Sequence, residues 1–190
     1  MEIKNCIKII DDIMPASCVS TLIRYLNTQK FEEARISGNE EESTVDFNTR
    51  KTHVYGLSPL SDSLTHQHWA NYLASKFLYG IKLYQRELNC VKLPVEGLTN
   101  IDALKYQDNG FYTWHVDDGP KTPRTLSCVL FLNNEYEGGQ LAFSNIDGTE
   151  LMEVAPQPAR MVIWPSSFLF PHAVKPVTQG TRFSIVSWAR

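Results

Sequence analysis

The segment Tyr106–Asp117, which reads YQDNGFYTWHVD, contains the clearest candidates for chemistry in this chain. His115 and Asp117 stand two residues apart, with the β-branched Val116 between them. If the segment is a strand, both side chains point to one face, because side chains alternate along a strand with a period of two. An imidazole and a carboxylate side by side are two ligands for a divalent metal. One more histidine would complete the two-histidine, one-carboxylate set that is typical of non-haem Fe(II) sites.

A single histidine follows this segment along the chain. His172 lies in FPHAVKPV, and Arg182 follows ten residues later in GTRFSIVSW. We expect the two residues to lie on successive strands joined around Thr178–Gly180, so that both reach one end of the same cavity. There His172 would complete the metal set, and the planar guanidinium of Arg182 would hold the far carboxylate of a dicarboxylate co-substrate through two parallel hydrogen bonds.

The composition is that of a single soluble globular domain. The chain has 190 residues, of which 43% are hydrophobic and 21% charged, and its formal net charge is −3. That charge argues against a nucleic-acid partner, which usually requires a basic face. The four cysteines are scattered without a C-x-x-C pair, which indicates reduced thiols. Neither a signal peptide nor an apolar run of membrane-spanning length is present, so the sequence predicts a cytoplasmic protein without membrane contact.

Two amphipathic helices are predicted in the first half of the chain, over residues 15–27 and 61–88. In both segments apolar residues recur near every fourth position and form a core-facing stripe. His66 and His68, near the start of the second helix, diverge on its surface and are predicted to be surface residues, not a metal pair. Gly80, inside the same helix, permits close packing or marks a kink.

Extended segments and one polar loop separate these helices. Residues 2–13, 31–36 and 50–55 are predicted to be strands, whereas the acidic and small residues 37–44, SGNEEEST, are predicted to form a loop. Beyond its role as a connection, this loop is a candidate lid that closes over a peptide. Arg50 follows directly after it and is a candidate substrate contact.

From Leu98 onward the pattern changes to short β-rich segments between turn residues. They are Leu98–Gln107, Trp114–Asp117, Arg124–Asn133, Gln140–Ser144, Thr149–Val154, Arg160–Trp164, His172–Pro176 and Arg182–Trp188. Eight short strands with no helical pattern between them indicate a sandwich or a jelly-roll barrel. We therefore predict one domain, with helical support and the lid in residues 1–97 and the β core in residues 98–190.

Residues 98–190 resemble the 2-oxoglutarate- and Fe(II)-dependent oxygenases of the prolyl 4-hydroxylase type. The resemblance rests on Tyr106, Gly110, Tyr112, HVD at 115–117, Arg124 with the following LSCVLFLN, Gly138-Gly139, and the blocks IWP, PHAVKP and TRFSIVSW. It implies a mainly β double-stranded β-helix (jelly roll), here buttressed by N-terminal α-helices. It also implies an iron triad of His115, Asp117 and His172.

The resemblance further implies the reaction and its co-substrates. Oxygenases of this type use Fe(II), 2-oxoglutarate and O2, and ascorbate is a further expected cofactor. They hydroxylate a prolyl residue in a peptide or protein and release succinate and CO2. On this basis we expect a proline-containing peptide or protein as the partner and a monomeric enzyme.

Roles around the metal also follow from the resemblance. It assigns Arg182 to the C5-carboxylate of 2-oxoglutarate and Tyr106 to a hydrogen bond with the co-substrate. Oxygen-sensing prolyl hydroxylases supply a tyrosine as a second contact to that carboxylate, but Phe131 stands at its place here, and Ser127 on the same strand is the candidate instead. The positions that match the peptide entrance are Tyr112, Arg124 and Trp164.

Two alternatives stay open from the sequence alone. In the first alternative, the same oxygenase scaffold acts on a free amino acid, another small metabolite or a nucleobase. In the second, the chain is a non-enzymatic β-barrel that binds a metal or a partner. A basic groove would favour a nucleic acid as substrate, and a small closed pocket would favour a metabolite.

Overall fold

The computed structural model describes residues 2–36, 43–88, 93 and 95–190. Within these residues the chain forms two α-helices, α1 (Ala16–Asn27) and α2 (Leu64–Leu88), after a short 3-10 helix at Ile3–Cys6. The strands are β1 (Lys8–Ile10), β2 (Glu32–Glu33), β3 (Arg50–Lys51), β4 (His53–Leu57), β5 (Leu98–Tyr106), β6 (Phe111–His115), β7 (Leu126–Phe131), β8 (Tyr136–Gly138), β9 (Leu141–Ser144), β10 (Glu150–Val154), β11 (Met161–Pro165), β12 (His172–Val174), β13 (Val177–Gly180) and β14 (Arg182–Ala189).

The strands form two main antiparallel sheets that face each other. The larger sheet has the order β1-β11-β7-β14-β5-β4-β2, and the smaller has the order β10-β9-β12-β6-β3. Their facing side chains form one inner core, whose buried members include Leu104, Phe131 and Val162 from the larger sheet and Leu141 and Phe143 from the smaller. This arrangement confirms the predicted mainly β jelly roll with supporting helices.

An outer core lies on the other side of the larger sheet, where both helices pack. It joins Leu22 of α1 and Phe77 of α2 to sheet residues such as Ala103 and Ile185, all of them buried. Both faces of the larger sheet are therefore covered. For this reason every residue of its interior strand β7 is buried, and LSCVLF is apolar except for Ser127 instead of alternating between apolar and polar residues.

The helices agree closely with their predicted ranges. Helix α1 follows Pro15, and α2 begins at Leu64, three residues later than predicted, and ends at Leu88. Gly80 belongs to a continuous helix, so its role is close packing: a Cβ atom there would lie 2.5 Å from Sδ of Met161 on β11. The missing side chain lets α2 approach the sheet.

One prediction about the helix histidines was wrong. His66 is buried, and its ring contacts two groups from the β4 side: Nδ1 lies 2.7 Å from the Tyr55 hydroxyl, and Nε2 accepts a hydrogen bond of 2.8 Å from the Ser58 amide. His66 thus fixes the start of α2 against β4, a tertiary contact that helical periodicity does not reveal. His68 is exposed, as predicted.

Several predicted strands are shorter than expected. The segment 2–13 divides into the 3-10 helix and the short β1, and 31–36 contains only β2 and a single bridge from Ile36 to Thr44. The acidic loop, apart from Ser43 and Thr44, lies outside the described residues. Strands β8 and β13, which were not predicted, pair only with each other in the described part of the chain. In the same part of the chain, no helix is long and apolar enough to cross a membrane.

Candidate metal centre

Three predicted ligands meet at one end of the smaller sheet. His115 ends β6 and His172 begins β12, and these antiparallel neighbours place the two residues directly opposite each other. The Asp117 carboxylate reaches both rings: Oδ1 lies 3.8 Å from Nε2 of His115, and Oδ2 lies 3.3 Å from Nε2 of His172. All three ligand atoms lie within 4.8 Å of one another. This is the spacing of groups that can bind one ion.

The sequence predicted this cluster, but partly for the wrong reason. Strand β6 ends at His115, so Asp117 lies beyond the strand and not on its alternating face. Its position comes from the turn after β6, in which the Asp118 amide donates to the Ser166 carbonyl at 3.1 Å. Strand periodicity alone would therefore not have brought the carboxylate to the histidines.

Both imidazoles present Nε2 to the centre of the cluster. Nδ1 of His115 lies 2.8 Å from the Thr113 carbonyl, and Nδ1 of His172 lies 3.1 Å from the Phe170 carbonyl. A carbonyl only accepts hydrogen bonds, so each Nδ1 carries the proton and each Nε2 keeps its lone pair for a metal. The histidine tautomers are thus set by the backbone.

The protonation states also suit a metal site. Burial, together with the nearby His172, lowers the pKa of His115 to about 3, so this ring is neutral at physiological pH. Burial raises the pKa of Asp117, but the two histidines and a hydrogen bond from Ser127 outweigh it and hold this pKa well below its usual range. Two imidazoles that present Nε2 and one ionised carboxylate are a donor set that fits Fe(II).

Two further side chains hold the Asp117 carboxylate. The Ser127 hydroxyl donates to Oδ2 at 2.7 Å and lies 2.8 Å from the hydroxyl of Ser166, and both serines are buried. Arg124 approaches from the other side, with Nη1 3.6 Å from Oδ1 and 3.2 Å from the Asp117 carbonyl. Its guanidinium also lies 3.7 Å from the centre of the Trp188 ring. These contacts fix the orientation of the carboxylate.

A cavity of about 700 Å³ lies between the two sheets and contains the cluster in its wall. Arg182 lines the same cavity and is 1% exposed. Its guanidinium lies 4.9 Å from the ring centre of Tyr106 and 5.1 Å from that of Phe131, and Nη1 donates to the Ser184 hydroxyl at 2.9 Å. Among the described residues, no carboxylate lies within 4 Å of Arg182.

Two polar groups in this deep part of the cavity lack hydrogen-bond partners among the described residues. Nε of Arg182 and the hydroxyl of Tyr106 are buried and have no hydrogen-bond partner among the described residues. Burying a charged group without a counter-ion is costly, and a buried polar atom without a partner adds to that cost. An anion with several acceptor atoms would satisfy both groups.

The chain path between His172 and Arg182 differs from the prediction. The two residues are not on successive strands, because β13 lies between β12 and β14, and they belong to the two facing sheets. They line the same cavity because those sheets pack face to face. The Ser127 hydroxyl donates to Asp117, and its role as second partner of the co-substrate carboxylate stays a prediction. The Ser184 hydroxyl accepts from Arg182, and the sequence signal for this contact was its position two residues after Arg182 on one strand face.

The remaining predicted residues divide between the cavity mouth and the core. Tyr112 stacks on His115 with ring centres 3.6 Å apart, and the Arg50 guanidinium lies 4.7 Å from the Tyr112 ring centre. Trp164 is 1% exposed, with its ring centre 4.8 Å from that of His172. It belongs to the inner core beside the metal cluster and also lines the cavity, and its role near the substrate stays a prediction.

Residues 101–190 match the protein family described as the 2OG-Fe(II) oxygenase superfamily. A PKHD-type hydroxylase of Stenotrophomonas maltophilia is 36% identical over 95 residues, which cover 45% of this chain and 40% of that protein. Prolyl 3-hydroxylase 1 of Gallus gallus is 43% identical over 68 residues, which cover 35% of this chain and 9% of that protein. The matched region thus spans less than half the length of these relatives.

Solved structures share the fold over almost the whole chain. A prolyl-4-hydroxylase from Pseudomonas putida has a TM-score of 0.71 at 24% identity and covers 97% of this chain and 92% of its own. A prolyl hydroxylase from Trichoplax adhaerens, in complex with a hypoxia inducible factor oxygen degradation domain peptide fragment, has a TM-score of 0.76 at 19% identity, with coverages of 97% and 83%. The N-terminal helices are therefore part of the shared architecture.

Proposed function

We propose that residues 101–190 form a 2OG-Fe(II) oxygenase domain and that this protein is an Fe(II)- and 2-oxoglutarate-dependent dioxygenase. We propose further that it hydroxylates a prolyl residue in a peptide or protein, with release of succinate and CO2. The observation that carries the proposal is the buried, unpaired Arg182 in the same cavity as the His115, Asp117 and His172 cluster.

The metal would be held by Nε2 of His115, Nε2 of His172 and the Asp117 carboxylate. When bound, Fe(II) supplies open coordination positions at which 2-oxoglutarate and O2 react with each other. Ser127 and Arg124 keep the carboxylate turned toward the metal position. This preorganisation avoids reorganisation of the ligands when the metal binds.

The deep end of the cavity would bind and orient 2-oxoglutarate. The guanidinium fork of Arg182 matches the geometry of a carboxylate, and the Tyr106 hydroxyl is free to donate to the same molecule. Apolar side chains line the cavity between this end and the metal cluster, among them Leu104, Val129 and Val174. They exclude water from the reacting groups.

Prolyl hydroxylation is supported by the names of the relatives and structural neighbours. The relatives are named as PKHD-type hydroxylases and prolyl 3-hydroxylases, and the solved neighbours are prolyl hydroxylases. Incubation with a peptide pool, followed by mass spectrometry for the gain of one oxygen atom on proline, tests this part. Oxidation confined to a free amino acid or another small metabolite would contradict it. Cytoplasmic location, a monomeric state and the use of ascorbate stay predictions from the sequence.

The 2-oxoglutarate site is tested by substitution of Arg182. Loss of one partner from a buried charge pair costs about 3–5 kcal/mol, or roughly two to three and a half decades in affinity. Arg182→Ala should therefore raise the 2-oxoglutarate concentration for half-maximal succinate formation by about a hundred-fold or more. The half-maximal 2-oxoglutarate concentration of Arg182→Lys should lie between those of the wild type and Arg182→Ala. An ammonium group restores the charge but not the two-pronged geometry of the guanidinium.

Two controls make this test specific. Mn²⁺ affinity, measured by calorimetry on the metal-free protein, should change little in Arg182→Ala, because Arg182 is not a member of the ligand cluster. Arg24→Ala, which removes an exposed arginine of α1, should leave both measurements unchanged. An Arg182→Ala protein with normal dependence on 2-oxoglutarate would show that the co-substrate binds elsewhere or is a different molecule.

A further inference from the structure

The described residues that line the outer part of the cavity carry more positive than negative charge, although the chain as a whole has a net charge of −3. Apart from the metal cluster and Arg182, the charged residues among them are four cations, Arg35, Arg50, Lys121 and Arg124, and two carboxylates, Asp102 and Asp118. An excess of positive charge in a cleft attracts anions and raises their local concentration. The substrate of this site is therefore expected to carry negative charge.

Arg50 is the cation beside the aromatic ring that stacks on His115. It lies on β3 directly opposite Tyr112 on β6, and its guanidinium lies 4.7 Å from the Tyr112 ring centre. That ring stacks on His115 at 3.6 Å. A group held by Arg50 would thus lie one aromatic ring away from a metal ligand, close to the position of the C–H bond that is to be hydroxylated.

The guanidinium of Arg50 has no anionic partner within the described part of the chain. Its Nε is buried without a hydrogen-bond acceptor, and no carboxylate lies within 4 Å of it. The arginines near it are engaged: Arg124 contacts Asp117 and Trp188, and Arg35 donates to the Ser43 carbonyl at 3.2 Å. Among the described arginines of the outer cavity, Arg50 is therefore the one with a buried donor that lacks an acceptor.

Asp102 does not form an ion pair with Arg50 in the described part of the chain. It lines the cavity from β5, and burial raises its pKa while Arg50 and Arg124 oppose that rise. A partly buried cation without a carboxylate in contact can still bind an external anion.

The backbone of Arg50 is fixed before any substrate binds. The Asp46 carbonyl accepts the Arg50 amide at 2.8 Å, and the Asp46 carboxylate accepts from the Thr49 hydroxyl at 2.6 Å and the Asn48 amide at 2.9 Å. The Thr113 amide of β6 donates to the Thr49 carbonyl at 2.9 Å. Because hydrogen bonds hold this turn at both ends, the turn loses little conformational entropy when a substrate binds.

We propose that Arg50 is a specificity residue that binds a carboxylate of the substrate next to the hydroxylated position. Resting on the proposed function, this inference identifies the substrate as an acidic peptide segment, with an Asp or Glu side chain adjacent to the target residue. The same chemistry could come from the carboxylate of a free acid, and the experiment separates these two sources.

The test begins with a tryptic peptide digest of a whole proteome, which is incubated with the enzyme, Fe(II) and 2-oxoglutarate. Mass spectrometry should find oxidised peptides enriched in Asp or Glu beside the modified residue. The best peptide is then synthesised in its native form and with that acidic residue replaced by its amide. Arg50→Gln should lower kcat/KM on the acidic peptide by about ten- to a hundred-fold, mainly through KM, because a charge-assisted hydrogen-bond pair is lost.

On the amide peptide, Arg50→Gln should cause little additional loss, since the interaction is already absent. Arg50→Lys should restore part of the rate on the acidic peptide. The Mn²⁺ affinity of Arg50→Gln reports whether the metal cluster is intact, and Arg24→Gln is the matched arginine control. Equal losses on both peptides, or oxidised peptides without neighbouring acidic residues, would overturn the inference while the proposed hydroxylase function stands.

A second arm covers failure of the peptide function itself. If the wild-type enzyme oxidises no peptide, succinate formation is measured with free amino acids and carboxylic acids. If a free acid is turned over and its turnover is slower in Arg50→Gln, the substrate is not a peptide, but Arg50 still binds a substrate carboxylate. Turnover that is insensitive to Arg50→Gln, or no turnover of any acid, would overturn the subsite as well.

Discussion

The Asp117 carboxylate shows how much of the proposed site depends on single contacts. It lies after the end of β6, so no strand geometry orients it. Its direction is set by the Ser127 hydroxyl at 2.7 Å, which in turn lies 2.8 Å from the Ser166 hydroxyl, and by Arg124 at 3.6 Å. Partners that orient metal ligands commonly matter almost as much as the ligands.

We therefore predict that Ser127→Ala weakens metal binding. Without the hydroxyl, Oδ2 of Asp117 is free to turn away from the histidines, and the affinity for Mn²⁺ should fall by about ten- to a hundred-fold. Calorimetric titration of the metal-free protein measures this directly. Ser184→Ala is the matched control, because it removes a buried hydroxyl that contacts Arg182 instead of Asp117. Equal affinity losses in the two variants would refute the orienting role of Ser127.

At the scale of elements, the site depends on the packing of α2 against the larger sheet. The helix crosses β11 at Gly80, where a Cβ atom would lie 2.5 Å from Sδ of Met161 and 3.3 Å from Cδ1 of Ile163. Both sheet residues are completely buried, so neither side chain has open space to move into. Close approach at this point lets one helix cover the sheet that carries Arg182 on its other face.

Gly80→Ala should accordingly destabilise the protein in spite of the better helix propensity of alanine. The propensity gain is about 1 kcal/mol, whereas overpacking a buried contact costs about 1–3 kcal/mol. We expect a net loss of up to about 2 kcal/mol, measured as a lower urea midpoint with an unchanged slope. Gly97→Ala is the control, because no atom of the described residues lies within 4 Å of a Cβ atom there. A Gly80→Ala protein as stable as the wild type would show that Met161 repacks freely.

At the scale of the whole molecule, the larger sheet has the outer core on one face and the cavity with the proposed site on the other. The outer core holds the helices on one face, and the inner core surrounds the cavity on the other. One ion pair joins distant parts of the chain at the edge of this arrangement. Arg160, before β11, donates to both oxygens of Asp11, after β1, at 2.7 and 3.0 Å.

This pair predicts a modest pH dependence of stability. The hydrogen bond from Arg160, with burial opposing it, holds the pKa of Asp11 below its ordinary value of 3.8. Because the folded pKa is the lower one, the stabilisation is present above about pH 4 and is lost as the pH falls through the folded pKa. Asp11→Asn should lower the free energy of unfolding by at most about 1 kcal/mol at pH 7, since the pair is largely exposed.

Urea unfolding at pH 7, 5 and 3 measures this dependence. The difference between the wild type and Asp11→Asn should be constant from pH 7 to 5 and shrink at pH 3. Glu2→Gln, in an exposed pair with Lys4, should show no measurable difference at any of these pH values. A difference between wild type and Asp11→Asn that grows toward pH 3 would contradict the assigned direction of the Asp11 pKa.

The sequence alone was enough to predict the residue types of the site and the fold class. His115, Asp117, His172 and Arg182 were recognised because two imidazoles, a carboxylate and a guanidinium have few combined uses other than binding a metal and an anionic co-substrate. The helices and most strands of the second half were also predicted, since periodicity of apolar residues is a local property.

The tertiary structure alone decided which groups face one another. His115 and His172 are distant in the chain and meet only because β6 pairs with β12. The contact of Ser127 with Asp117 was not predicted, and His66 was predicted to be exposed but is buried against β4. Each of these depends on how sheets and helices pack, because contacts between distant segments are set by the burial of whole faces. Periodicity within a segment records which face is buried, but not which partner covers it.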